Sequence, residues 1–107
     1  MKLETIRENH IFRRLYYRGK NEVCPEFVVY RLSNRKKAKR IGLTVSNKLG
    51  NAPTRSRIRR IFRAALVAQY EILPQNTDLV FVARSRCKNL KSTDIERALR
   101  KVFGEKQ

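Results

Sequence analysis

The chain has 107 residues, 26 Lys and Arg against 9 Asp and Glu, and a formal net charge of +17. So short a chain makes a single domain, 1–107, yet its 41% hydrophobic residues can build a modest core, which excludes a merely disordered basic tail. A folded body that repels itself this strongly is matched to a polyanion: nucleic acid is the first candidate, an anionic membrane surface the second. No apolar run reaches the roughly 18 residues of a bilayer span, and MKLETIRENH lacks a signal-peptide apolar core, so a cytoplasmic location is expected.

Residues 9–18, NHIFRRLYYR, place Phe12, Leu15 and Tyr16 at helical spacing, with Asn9 as the expected cap and Gly19 as the stop. The stretches EFVVYRL (26–32) and RIGLTVS (40–46) read as two strands of an antiparallel hairpin. In the second, Ile41, Leu43 and Val45 alternate with Gly42, Thr44 and Ser46, giving one apolar face and one small, polar face. The intervening SNRKKAKR is a solvated loop suited to phosphate contact.

Next comes a turn, residues 47–53, in which Gly50 permits a positive φ, Asn51 caps and Pro53 fits a first helical turn. The longest helix is expected over 54–73. Its apolar arc holds Ile58, Ile61, Phe62, Ala65 and Leu66; Arg57, Arg59, Arg60 and Arg63 fall opposite, and Arg55 lies at the border. The continuous apolar run 78–83, DLVFVA, suits a central strand buried on both faces. Thr93 and Glu96 have capping-box spacing and open a last helix, with Ile95, Leu99, Val102 and Phe103 on one face, that ends at Gly104. The order α-β-β-α-β-α predicts an α+β sandwich of helices on a small sheet.

Catalytic groups are scarce. The nine acids are scattered, and only Asp94 and Glu96 sit two apart, on different faces of a helix. His10 is the single histidine; with Cys24 and Cys87, which have no CxxC spacing, it offers too few ligands for a structural zinc site. No catalytic residue, metal site or small-molecule substrate is therefore expected, and the cysteines read as reduced thiols.

The charge is unevenly placed. From Phe27 to Tyr70 no acid occurs, and these 44 residues hold twelve Lys and Arg, so they carry +12 of the net +17. Five arginines lie within residues 55–63, where like charges one turn apart repel. A solvated face would mix in glutamates; guanidinium forks laid along a phosphate backbone explain the pattern better. No helix-turn-helix or zinc-finger signature points to duplex DNA. Aromatic residues beside cations (Phe12, Tyr16, Tyr17, Phe27, Tyr30) suit unpaired RNA bases. Phe27, Phe62, Phe81 and Phe103 are expected in the core, whereas Tyr16 and Tyr30 suit either core packing or a half-exposed stacking platform.

The stretch Gly42–Leu66, GLTVSNKLGNAPTRSRIRRIFRAAL, resembles the signature of the bacterial ribonuclease P protein family: a strand, K-x-G-N-A, then a helix opening R-N-R-x-(K/R)-R. Lys48, Gly50, Asn51, Ala52, Arg55, Arg57, Arg59, Arg60 and Arg63 match it, and the first helix, FVVY strand, DLVFVAR strand and last helix extend the likeness over nearly the whole chain. Ser56 replaces the family's Asn in R-N-R, losing the amide's bidentate reach. The resemblance implies an α/β sandwich with a left-handed β-α-β crossover, a large catalytic RNA partner that requires Mg²⁺, and removal of the 5′ leader from precursor tRNA. It implies that Lys48, Asn51, Arg55, Ser56, Arg57, Arg59, Arg60 and Arg63 face the catalytic RNA and that Phe12, Tyr16 and Tyr30 hold the single-stranded leader. The alternatives are a structural RNA-binding protein, such as a small ribosomal protein, and, less favoured, a stand-alone nuclease.

Overall fold

The apolar run near the C-terminal third organises the sheet, because a strand buried on both faces needs neighbours on both edges and a layer on each side. The structure, a computed structural model, describes residues 3–104. Its main elements are β1 (Glu4–Thr5), α1 (Asn9–Arg18), β2 (Lys20–Val23), β3 (Phe27–Ser33), β4 (Lys39–Thr44), α2 (Ala52–Ala68), β5 (Thr77–Ala83) and α3 (Ser92–Leu99). α3 runs on through a π-helical turn, Arg100–Gly104. The sheet order is β1-β4-β5-β3-β2, so β5 lies at the centre. The architecture is α+β, as the sequence predicts.

The expected hairpin does not form. β5 inserts between the two strands, pairing antiparallel with β3 (Val29 opposite Phe81) and parallel with β4 (Ile41 opposite Leu79). Local pattern favours pairing neighbours along the chain, but the connection 34–38 is long enough to pass over one intervening strand, and burying β5 on both edges outweighs the local pairing. β4, α2 and β5 make a parallel β-α-β crossover between adjacent strands, consistent with the crossover that the family resemblance implied. Two short elements had no periodic signal: β1, which pairs parallel with β4 over two residues, and β2, which makes the real hairpin with β3.

Alternation along the strands splits the interior in two. Phe27, Val29, Ile41, Leu79 and Phe81 face α2 and α3, where Ile58, Phe62, Leu66, Ile95 and Leu99 meet them. Phe27, Phe62 and Phe81 pack there as tilted and edge-to-face rings with centroids 5.2–6.4 Å apart. The other face carries Val80 with Tyr30, Leu32 and Val82, and is covered by Ile11, Phe12 and Leu15 of α1 and by Ile6. The four phenylalanines expected in the core are all buried.

Helix ends differ in detail from expectation. α1 is preceded by Glu8, whose side chain makes no cap; Asn9 is already its first residue. Gly19 ends α1 in extended backbone, not a left-handed cap, and is needed for close approach: a Cβ there would lie 2.6 Å from the Leu15 carbonyl oxygen. α2 starts two residues early and stops at Ala68, before a 3-10 turn at Tyr70–Ile72. Asn51 caps it as expected, its Oδ1 accepting from the Thr54 N–H at 3.0 Å, and Gly50 takes φ +144. At α3 the Thr93–Glu96 box is not used. The helix begins at Ser92, and the Asp94 carboxylate accepts from the Lys91 N–H at 2.8 Å, holding that carboxyl below its ordinary pKa with help from Arg97.

Candidate nucleic-acid interface

The five arginines of α2 look equivalent in sequence but divide into two groups in space. Arg55 donates through Nη1 to the Gly50 carbonyl at 2.7 Å, tying the helix to its own approach loop. Arg57 donates through Nη2 to the Leu90 carbonyl at 2.6 Å and through Nη1 to that of Lys88 at 3.3 Å. It is half-buried, although helical phasing set it on the charged arc, because the loop before α3 packs beside it. That loop is a short 3-10 stretch, Ser85–Asn89, and no local pattern in α2 could reveal it.

Arg59, Arg60 and Arg63 are different. All three are exposed and, among the described residues, have no hydrogen-bond or ion-pair partner. Three unpaired guanidiniums within five residues repel one another, and an acidic strand laid along them would relieve that repulsion. Lys48 and Ser56 are also exposed, in the approach loop and the first turns of α2. Asn51 reaches solvent too, although its Oδ1 is engaged as the cap. The loop ahead of α3 adds Arg84, Arg86, Lys88 and Lys91, all exposed, which no motif singles out; their only signal in sequence is a basic loop next to a central strand.

Phe12, Tyr16 and Tyr30 come together on the opposite face of the sheet. Tyr16 stands edge-on to Tyr30 with centroids 5.0 Å apart, and 6.4 Å from Phe12. The Tyr16 hydroxyl shares a 2.8 Å hydrogen bond with Thr44, which fixes the ring while leaving the residue 41% exposed. Tyr30 is half-buried. The small face of β4 makes room for this group: a Cβ on Gly42 would sit 2.7 Å from Phe12 Cζ. Tyr17 does not join it. It points away from the sheet and is 91% exposed.

The acids that find partners are held separately instead of converging. Arg40 makes a two-pronged pair with buried Asp78, both contacts at 2.8 Å, and Asn34 Nδ2 donates to the same carboxylate at 2.7 Å. Glu22 faces Arg31 at 3.6 Å, and Glu96 accepts from Gln69 at 3.1 Å. Among the described residues no three His, Cys, Asp or Glu side chains gather as a metal site would require. No described helix is long and apolar enough to cross a membrane.

The model of the family described as Ribonuclease P matches residues 1–107. The chain belongs to the ribonuclease P protein family. The ribonuclease P protein component of Bacillus mycoides is 33% identical over 103 residues, covering 95% of this chain and 90% of that one; that of Bacillus cereus strain B4264 is 34% identical with the same coverage. The ribonuclease P protein of Staphylococcus aureus superposes with a TM-score of 0.84 at 31% identity, covering 96% of this chain and 94% of its own. That of Thermotoga maritima shares the fold, with a TM-score of 0.85 at 21% identity and coverage of 97% and 98%. Membership identifies the chain as a protein component of ribonuclease P, in tRNA processing. In this ribonuclease P protein an aromatic group thus lies on one face of the sheet and a basic helix on the other.

Proposed function

We propose that this ribonuclease P protein docks on the catalytic RNA of the enzyme through α2 and its approach loop, and holds the single-stranded 5′ leader of precursor tRNA in the α1 cleft. The observation that carries the reading is the trio Arg59, Arg60 and Arg63, exposed and unpartnered on one helix while their neighbours Arg55 and Arg57 are engaged by carbonyls of the protein itself. Each free guanidinium presents a planar donor fork to a phosphate, and the exposed start of α2 adds its partial positive charge.

The cleft supplies the second function. An unpaired base can lie against Tyr16 and Tyr30, whose edge-to-face arrangement leaves ring surface open, while a paired base in the tRNA body cannot. The protein's part is positioning and charge neutralisation; the Mg²⁺-dependent hydrolysis of the phosphodiester belongs to the RNA.

Reconstitution tests the reading. With the cognate RNA at low Mg²⁺, the protein is expected to stimulate removal of the leader, and the protein without RNA to cut nothing. Failure to stimulate would overturn it. Tyr30→Ala is expected to weaken binding of precursor by about 5- to 100-fold, the worth of one stacked base, and to leave mature tRNA unaffected. Equal losses for both ligands would remove the leader from the cleft.

A further inference from the structure

β1 stops early, and this leaves a gap in the molecule. Strand pairing on the outer edge of β4 ends at Ile41, with one further bond from the Ile6 N–H to the Ile41 carbonyl at 2.9 Å. Peptide groups alternate sides along a strand, so Leu43 turns its N–H and C=O the same way as Ile41, onto an edge that no strand covers. At that edge lies a cavity of about 250 Å³, between α1 and α2. Ile6, Phe12, Leu43 and Leu66 form its walls, and Arg59 and Arg63 stand beside it. The unpartnered guanidiniums of α2 and the aromatic side of α1 thus meet in one place.

We propose that this slot receives one unstacked nucleotide of a bound RNA strand. The base enters between Phe12 and the aliphatic side chains, its polar edge turned to the free peptide groups of Leu43, and its flanking phosphates rest on Arg59 and Arg63. The features select this chemistry jointly. Apolar walls with cations beside them would also suit a fatty acid, but an acyl chain leaves the Leu43 peptide without a partner, whereas a base edge supplies donors and acceptors. The site lies at the edge of the sheet, separate from the leader cleft, with Phe12 as their common wall. The proposal rests on the RNA-binding reading above and adds to it a second base position, at the sheet edge.

Methyl- and amide-labelled protein titrated in NMR with adenosine 5′-monophosphate, inorganic phosphate and a single-stranded pentaadenylate tests it. The mononucleotide and the oligonucleotide are expected to shift the methyls of Ile6, Leu43 and Leu66 and the Leu43 amide, with the oligonucleotide binding more tightly; phosphate alone should leave those methyls in place. Thr5→Trp, at an exposed position lining the cavity, is expected to fill the slot and weaken mononucleotide binding about tenfold, one base's worth of stacking. Silent methyls with adenosine 5′-monophosphate, or shifts confined to the Tyr30 side of α1, would overturn the proposal; those readouts do not depend on the variant folding. Failure of the slot would leave salt-dependent pentaadenylate binding intact, whereas failure of the RNA-binding reading would abolish it.

Discussion

Two arginines two positions apart on α2, Arg57 and Arg59, have different surroundings, and simple substitutions separate them. Arg57→Ala removes a charged donor from the Lys88 and Leu90 carbonyls, so it is expected to lower stability by about 1–3 kcal/mol in urea unfolding. Its effect on the salt slope of RNA binding should be small. Arg59→Ala should do the reverse: stability within about 0.5 kcal/mol of the parent, and a salt slope reduced by roughly 0.7–0.9 for one lost phosphate contact. Cys87 gives a pH-dependent readout. Fully buried, with its thiol directed at the Glu26 carbonyl at 2.9 Å, it has its pKa pushed up to about 11 by burial, from the ordinary 9.0. The unfolded chain therefore loses this proton first, and the stability contributed by the neutral thiol is complete below pH 9 and lost as pH rises through 11. The parent should lose stability over that window faster than Cys87→Ala, and matched slopes would show that the thiol does not titrate in this way.

The elements explain what was legible beforehand. α2 and β5 announce themselves because their burial is written in local periodicity: Ile58, Phe62, Ala65 and Leu66 recur at helical spacing, and DLVFVA is apolar without interruption. Periodicity put Phe12 and Tyr16 on one helix face, but that Tyr30 lies beside them was implied only by the family resemblance; the structure brings the three rings together. Strand order was not legible, because nothing in residues 27–46 says that a strand from residues 77–83 will separate β3 from β4. Nor could the arginine pattern reveal that Arg57 meets carbonyls 31 and 33 residues away. The β3–β4 connection is held by the Arg40–Asp78 pair, with side chains only 11% and 5% exposed. Asn34 completes the clip by donating to both Asp78 and the Ala38 carbonyl. Asp78→Ala strands a buried guanidinium, and an unfolding measurement is expected to show a loss of about 3–5 kcal/mol; Arg40→Met with Asp78→Leu should recover much of it. Gly42→Ala belongs to the same scale. Its methyl would overlap the Phe12 ring, with an expected cost of about 1–3 kcal/mol and a displaced cleft wall.

Over the whole molecule, the sheet separates a basic helix face from an aromatic group. In the proposed function the guanidiniums on the α2 side meet phosphate, which any sequence offers, so their contribution should fall as salt rises. The rings on the α1 side would meet unpaired bases, a contact of π-surface that salt affects less. The +17 charge speeds encounter with any polyanion and does not by itself discriminate among RNAs. Raising salt from about 50 to 200 mM should therefore weaken both catalytic-RNA and precursor binding but leave the ratio of precursor to mature tRNA affinity nearly constant. A ratio that collapsed with salt would mean that the leader is held by charge.

The central place of β5 also has a consequence for how the chain is made. Translation delivers β1 to β4 first, and until Ala83 has left the ribosome neither β3 nor β4 has its native central neighbour, β5. During that interval the two strands are free to pair with each other across the short 34–38 connection, the very hairpin that local pattern favours, and β5 can enter only if that pairing opens. A nascent chain that pairs them would hold a competing structure, which the last third of the protein would have to displace before the sheet could close.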